Sequence, residues 1–351
     1  MRFSSLLAAL LAALLAVCLF VYATPDENPY LRIDAKDVAL TLPKRFGKPT
    51  YDLRVNPITP NGFLLGRALF YDAILSRDSS TSCASCHQRF AAFGHVDHTL
   101  SHGINGRIGT RNVPAIQNEI WNTSFMWDGG VTHMDLQPIA PITNPDEMDE
   151  TLVHVIAKLT ASAKYRSLFR AAFRTETVTT ERMLKALSQF VALMISNNSR
   201  YDRMLDARAT FTEQEERGLL AFRIRCVTCH REPLFTDRSF RNNGIGIDTA
   251  LRDLGRYAIT SVALDSFKFK VPSLRNVERT YPYMHDGRFR TLRAVLDHYS
   301  RGTYHGANAD AALRTTMAMT EHEQKDIIAF LLTLTDSSFT YDRRFLDPNV
   351  R

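Results

Sequence analysis

The sequence feature that most constrains this chain is a five-residue motif that occurs twice. Residues 83–87 read Cys-Ala-Ser-Cys-His and residues 226–230 read Cys-Val-Thr-Cys-His, so both have the form C-x-x-C-H. This is the attachment pattern of a c-type haem, in which two thiols bond to the haem vinyl groups and the adjacent histidine binds the iron. The predicted haem-binding residues are Cys83, Cys86, His87, Cys226, Cys229 and His230.

Two other kinds of site also use paired cysteines. A zinc ribbon places its two cysteine pairs about 15–20 residues apart, whereas most of a domain separates these two pairs. A thioredoxin-like site needs a βαβ setting and has no histidine after its second cysteine. Both alternatives are disfavoured, and the sequence predicts two covalently attached haems.

Composition and charge place the chain among globular proteins. Of its 351 residues, 45% are apolar and 23% are charged, which excludes a disordered chain and one wholly embedded in a membrane. The length suits two domains of ordinary size. The net charge of +6 is mild and no dense run of Lys and Arg occurs, so we expect no nucleic acid partner.

The N-terminus has the pattern of an export signal. Arg2 precedes an apolar stretch from Leu6 to Ala23, and the chain turns polar after Ala23. We therefore predict a signal peptide over residues 1–23 and a periplasmic protein. An uncleaved anchor is the alternative, because about 20 apolar residues span a bilayer. Cleavage would leave four cysteines, all in the two haem motifs, so no disulfide is expected.

Helical patterns surround each haem motif in the same order. A helical pattern begins at Asn61, others cover residues 151–173 and 180–196, and a capping-box signature at Thr212 precedes the second motif. An apolar stripe over residues 320–334 closes the second cycle. Strand signals are sparse, and the strongest lies at residues 253–262. The prediction is a mainly α fold of two tandem cytochrome c-like domains, residues 24–208 and 209–351, each with one haem.

Six further segments resemble the dihaem bacterial cytochrome c peroxidase/MauG family. They are residues 111–114 (Arg-Asn-Val-Pro), 125–129 (Phe-Met-Trp-Asp-Gly), 137–142 (Gln-Pro-Ile-Ala-Pro-Ile), 144–148 (Asn-Pro-Asp-Glu-Met), 269–277 (Phe-Lys-Val-Pro-Ser-Leu-Arg-Asn-Val) and 283–287 (Tyr-Met-His-Asp-Gly). The resemblance spans essentially the whole mature chain. It implies that the N-terminal haem reduces hydrogen peroxide. Electrons would enter through the C-terminal haem from a redox partner, a small cytochrome c or a copper protein.

The resemblance also implies roles for four residues of the first domain. Glu147 would lie over the N-terminal haem as acid/base, since peroxide cleavage needs a group that exchanges protons within hydrogen-bond reach. Gln137 and Pro141 would form the same distal pocket, and Trp127 would relay electrons between the haems. On residue type alone, Glu147 could equally be a surface carboxylate and Trp127 a core aromatic residue.

A calcium site between the domains is implied as well. Asn112, Thr280 and Pro282 match the positions that hold this ion in the family, Thr280 and Pro282 by their backbone oxygens.

The distal ligand of the second haem separates two branches of the family. In the peroxidases proper, a methionine follows the histidine of the His-Asp-Gly motif by fourteen residues. Fourteen residues after His285 stands Tyr299, as in the MauG branch. The resemblance therefore implies His/Tyr ligation, and a hard phenolate favours oxidised iron. The alternative ligands are His298, Met284 and His305.

Two departures from the family leave questions open. The MauG branch draws electrons from a protein substrate through a tryptophan two residues before the second haem motif, but this chain has Ile224 there. His102 lies near where the family places a loop histidine on the first iron at rest, but its spacing to Arg111 differs by two residues, so His102, His95 and His98 stay alternative ligands. A MauG-like enzyme that oxidises a partner protein and a non-catalytic dihaem electron carrier remain alternative functions. The sequence does not decide whether two copies pair as a homodimer.

Overall fold

The computed structural model describes residue 33 and residues 35–301, 308–313 and 317–349. The predicted signal peptide and His305 lie outside this part of the chain. None of the helices in these ranges is long and apolar enough to cross a membrane.

The fold is mainly α-helical, as the sequence predicted. The helices are α1 (Pro60–Tyr71), α2 (Cys83–Cys86), α3 (Ile139–Thr143), α4 (Leu152–Ala161), α5 (Ala163–Phe173), α6 (Thr180–Ala192), α7 (Arg200–Leu205), α8 (Glu213–Arg225), α9 (Tyr257–Thr260), α10 (Leu292–Arg301), α11 (Glu321–Leu332) and α12 (Ser337–Thr340). The strands are β1 (Phe240–Arg241) and β2 (Phe269–Lys270).

Reciprocal caps begin two of the helices that frame the second motif. In α8 the Thr212 hydroxyl accepts from the Glu215 N–H, and the Glu215 carboxylate accepts from the Thr212 N–H. Thr320 and Glu323 form the same pair at the start of α11. Each cap satisfies helix-end donors that would otherwise lack a partner. The predicted capping box at Thr212 is confirmed.

The predicted helix over residues 151–173 is two helices, α4 and α5. Ser162 between them has an extended backbone, and its hydroxyl caps α5 by accepting from the Tyr165 N–H. A serine that bonds the backbone locally competes with a continuous helix.

The strand predicted over residues 253–262 is wrong. That segment holds α9 and belongs to an excursion between the two strands. β1 and β2 flank the excursion and pair antiparallel, with Phe240 opposite Lys270.

Each half of the molecule is built on a crossed pair of helices with a glycine at the contact. In the first half α1 packs on α6, and in the second half α8 packs on α11. A Cβ atom on Gly66 would overlap the Ala186 carbonyl and lie 2.9 Å from the Phe190 Cβ. A Cβ atom on Gly218 would overlap the Asp326 carbonyl and lie 2.9 Å from the Phe330 Cβ. The two halves therefore bring their helix axes together in the same way.

Two apolar cores lie behind these helix pairs. The first contains Phe63 and Phe190 together with Phe339 and Phe345 from the end of the described chain. The second contains residues of α8 and α11 and also Tyr201 of α7. The end of the chain thus packs in the first core, and the division at residues 208/209 stays a prediction.

We expect Gly218→Ala to lower stability, because the new methyl group has no room at the α8–α11 crossing. Overpacking of this kind costs about 1–3 kcal/mol. The matched control is Leu220→Ala on the exposed side of α8, where the side chain is 60% exposed and the expected change is within about 0.5 kcal/mol. Thermal unfolding of the haem-loaded protein measures both. Equal melting temperatures for Gly218→Ala and the parent would contradict the packing argument.

Candidate haem cavity and its surroundings

One continuous cavity of about 530 Å³ reaches from one C-x-x-C-H motif to the other. Both pairs of cysteines and both motif histidines line it, and Trp127 lies in the wall between them. The rest of the lining is largely apolar, as a buried porphyrin requires. The structure therefore brings together the six predicted haem-binding residues.

Both motif histidines are oriented by a backbone carbonyl. The Nδ1 of His87 lies 2.9 Å from the Phe93 oxygen, and the Nδ1 of His230 lies 3.1 Å from the Phe235 oxygen. A proton on Nδ1 donates to each carbonyl, and Nε2 keeps its lone pair for a metal. Burial lowers the pKa of both imidazoles, so the neutral, ligating form is favoured.

The four motif cysteines are free thiols, the form from which thioether bonds to a haem are made. None forms a disulfide. Burial raises the thiol pKa of Cys83 to about 12, of Cys86 to about 11 and of Cys226 to about 12. Redox-active C-x-x-C sites lower this pKa instead. No group of three His, Cys, Asp or Glu side chains set to bind a metal ion occurs in the described ranges. The raised thiol pKa values distinguish these cysteine pairs from a redox-active C-x-x-C site.

The side of the cavity near the first motif carries the residues assigned to the distal pocket. Glu147, Gln137 and Pro141 all line the cavity there. The Glu147 backbone carbonyl accepts from the Ile104 N–H at 2.8 Å, which fixes the segment after α3. Burial raises the pKa of the Glu147 carboxyl, and a hydrogen bond from Asn144 partly offsets this. A carboxyl with a raised pKa can exchange protons closer to neutral pH.

Of the three loop histidines, His102 lines the cavity and the other two do not. The His98 ring packs 4.3 Å from the His102 ring and 4.8 Å from the His95 ring. His95 is buried, and burial lowers its pKa to about 4. His102 is therefore the histidine of this loop best placed to reach a haem.

The side of the cavity near the second motif is closed by α10. Tyr299 on this helix lines the cavity, and so does Met284. His298 instead places its Nε2 3.0 Å from the Asn243 carbonyl oxygen and does not line the cavity. Of these two adjacent residues, Tyr299 therefore lines the cavity and His298 does not.

Trp127 is held between the two motifs by hydrogen bonds at both ends. Its indole Nε1 donates to the Asn112 carbonyl at 2.8 Å. Its own carbonyl accepts from the Lys270 N–H at 2.7 Å. The other tryptophan, Trp121, is buried in a separate cluster beside Phe46.

The three residues assigned to calcium also line the cavity. The Asn112 side-chain nitrogen donates to the Thr99 carbonyl at 3.0 Å, which leaves its Oδ1 for another partner. Within the described chain, no donor hydrogen-bonds to the carbonyl oxygens of Thr280 and Pro282. Three oxygen donors suit a hard cation such as calcium.

Two charged residues of the cavity wall were not found by sequence reasoning. The Lys270 ammonium donates to the Ser124 carbonyl at 2.8 Å, and the Glu119 carboxylate accepts from Asn122 at 2.8 Å. Burial lowers the pKa of Lys270 and raises that of Glu119. A sequence signal existed, because residues 111–131 are repeated at residues 269–289.

Ile224 lies on the surface of α8, and 79% of it is exposed. An aliphatic side chain cannot be oxidised as an indole can. The position that serves the MauG branch as an electron entry point therefore lacks that chemistry here.

Comparisons with known proteins show which family this chain resembles. A family model described as di-haem cytochrome c peroxidase matches residues 60–210. The methylamine utilization protein MauG of Methylorubrum extorquens is 36% identical over 80% of each chain. The cytochrome c551 peroxidase of Nitrosomonas europaea is 33% identical over 81% of this chain and 83% of its own.

A solved structure shares nearly the whole described fold. A MauG-like protein associated with microbial copper homeostasis superposes with a TM-score of 0.81 and 32% identity, over 88% of this chain and 99% of its own. Given this similarity and two curated relatives above 30% identity, the chain belongs to the dihaem cytochrome c peroxidase/MauG family of oxidoreductases.

Proposed function

We propose that this protein is an exported dihaem peroxidase of the MauG type, which reduces hydrogen peroxide at the first haem and draws electrons through the second. The observation that carries the proposal is the single cavity that joins both motifs. The Glu147 carboxyl, the Trp127 indole and the Tyr299 phenol all line it. Proteins of this family are typically periplasmic, which agrees with the predicted export.

In the proposed reaction H₂O₂, two electrons and two protons give two water molecules. Cys83, Cys86 and His87 would hold the first haem, whose iron would supply the redox chemistry for peroxide reduction. Glu147 takes the proton from one peroxide oxygen and returns it to the other as the O–O bond breaks. Gln137 and Pro141 restrict the space around the carboxyl, so that peroxide lies within hydrogen-bond reach.

Glu147→Gln is expected to lower peroxide turnover about 10²–10⁴-fold, because the amide cannot exchange the proton. Both haems should stay attached, since no cysteine changes. Asp146→Asn is the matched control, as Asp146 is exposed and does not line the cavity. Turnover at saturating peroxide measures the effect, and a Glu147→Gln rate within twofold of the parent would remove Glu147 from the mechanism.

Cys226, Cys229 and His230 would hold the second haem, and in this proposal the Tyr299 phenolate would be a further ligand to its iron. Two observations support that ligand: Tyr299 lines the cavity, and His298 is turned to the Asn243 carbonyl. A hard oxygen donor stabilises the oxidised iron. Through this bond Tyr299 would favour the oxidised form of the second haem until the partner delivers an electron.

Tyr299→His should convert the second haem to bis-histidine ligation, with a changed low-spin spectrum and a raised reduction potential. His298→Gln is the control and should leave both quantities unchanged. Absorption and electron paramagnetic resonance spectra of the resting protein, with a spectroelectrochemical titration, test the pair. An unchanged spectrum in Tyr299→His would assign the ligand elsewhere.

Trp127→Phe keeps an aromatic ring of similar bulk but removes the more easily oxidised indole. We expect peroxide to react with the first haem as before, while transfer of the oxidising equivalent to the second haem slows at least tenfold. Trp121→Phe is the matched control, because Trp121 is 1% exposed and lies outside the cavity lining. Stopped-flow spectra after one equivalent of peroxide measure the transfer. The same product at the same rate in Trp127→Phe would leave this residue with a packing role.

A second candidate function is oxidation of residues in a partner protein. The similarity to a MauG-like structure and the tyrosine at position 299 favour it, and Ile224 counts against the usual electron entry point. Peroxide-driven mass changes in candidate partners, compared with peroxide consumption in the presence of small cytochromes and copper proteins, separate the two functions. A dihaem carrier without catalysis would show no high-spin haem at rest.

A further inference from the structure

The wall between the two haem motifs is made of one segment repeated twice. Residues 111–131 align with residues 269–289 without a gap, each residue 158 positions before its counterpart. Six of the 21 pairs are identical, and they are Val113/Val271, Pro114/Pro272, Asn118/Asn276, Met126/Met284, Asp128/Asp286 and Gly129/Gly287. The backbone repeats as well, with positive φ at both members of the Asn, Met and Gly pairs. The two copies therefore have the same local conformation.

The copies also contact each other symmetrically. The Asn112 N–H donates to the His285 carbonyl at 2.7 Å, and the Lys270 N–H donates to the Trp127 carbonyl at 2.7 Å. Asn112 corresponds to Lys270, and His285 corresponds to Trp127. Exchanging the two copies turns one hydrogen bond into the other, so a local twofold relation holds at the centre of the cavity wall.

This relation maps the three calcium-binding positions onto a second set. Asn112 maps to Lys270, and the carbonyls of Thr280 and Pro282 map to those of Asn122 and Ser124. The Lys270 ammonium donates to the Ser124 carbonyl, the counterpart of the Pro282 carbonyl. A covalently attached cation thus lies against the turn that corresponds to the calcium-binding turn.

We propose that the Lys270 ammonium is the built-in counterpart of the calcium ion, so that each copy of the repeat holds one cation at its turn. The inference rests on the calcium assignment of Asn112, Thr280 and Pro282, and it is independent of peroxide reduction. Buried carbonyl oxygens need a donor or a cation. In this proposal the turn with Thr280 and Pro282 binds a calcium ion, and the turn with Ser124 binds the Lys270 ammonium.

The surrounding charges fit a cation at this place. Glu119 and Asp128 both act to raise the pKa of Lys270 against the effect of burial. Asp128 is already paired with Arg111 at 2.5 Å, so Glu119 is the carboxylate left to balance the ammonium. If the ammonium were replaced by an amide oxygen, Glu119 and the Ser124 carbonyl would offer oxygen ligands to a metal ion, beside the Asn122 carbonyl that also accepts from the Thr50 hydroxyl at 2.7 Å.

The test is to exchange the two side chains, one at a time, in the haem-loaded protein. Lys270→Asn restores the amide that the first copy has, and we expect bound calcium to rise from one to two ions per chain. Lys270→Met, which removes the charge without adding an oxygen, is the control and should stay at one. Calcium is measured by elemental analysis after equilibration in calcium buffer, and the melting temperature is recorded with and without a chelator.

The reciprocal variant keeps the proposal testable if Lys270→Asn does not fold. Asn112→Lys should fold, bind no calcium and lose the chelator dependence of its melting temperature, because the new ammonium replaces the ion. One ion per chain in a folded Lys270→Asn, or an Asn112→Lys protein that cannot fold, would overturn the proposal. A parent protein without calcium would instead remove the calcium site, and neither result bears on peroxide turnover.

Discussion

Two crossed backbone hydrogen bonds hold the centre of this molecule, and the haem cavity depends on them. They join Asn112 to His285 and Lys270 to Trp127, each between a segment of one half and a turn of the other. Neither half can complete the cavity wall alone. A third bond, from the Trp127 indole to the Asn112 carbonyl, fixes the ring in the same frame. Because backbone atoms set this geometry, the position of the indole between the motifs is insensitive to how surface side chains pack.

Buried polar contacts around this centre fix how the two copies of the repeat meet. Gln117 donates to the Arg275 carbonyl at 2.5 Å and accepts from Asn276 at 2.6 Å. The Arg275 guanidinium forms two hydrogen bonds with Asp202, and both side chains are fully buried. Such a pair adds little net stability, yet loss of one partner costs about 3–5 kcal/mol. Removing Asp202 would therefore leave the Arg275 guanidinium as an unpaired buried charge where α7 meets the second copy of the repeat.

The sequence predicted the features that depend on neighbouring residues. The haem motifs and the Thr212 cap were readable because their chemistry lies within five residues. The strand over residues 253–262 was wrong because this segment lies on the excursion between the strands, where Ile259 and Val262 are exposed. The position of Lys270 in the cavity wall was not predicted. Its partner, the Ser124 carbonyl, lies 146 residues away in the chain, and no local sequence pattern indicates that contact.

Because the two copies share one backbone conformation, the two halves of the cavity wall differ in their side chains. Where the first copy has Trp127, the second has His285, whose ring stacks on Phe269 at 3.7 Å. An imidazole is much harder to oxidise than an indole, so in the proposed mechanism electrons pass through one of the two equivalent positions. The same asymmetry separates Asn112 from Lys270, where in our proposal one copy recruits an ion and the other carries its own charge. The repeat thus gives two matched halves of the cavity wall, and in the proposed mechanism a few side-chain differences between them set the direction of electron transfer.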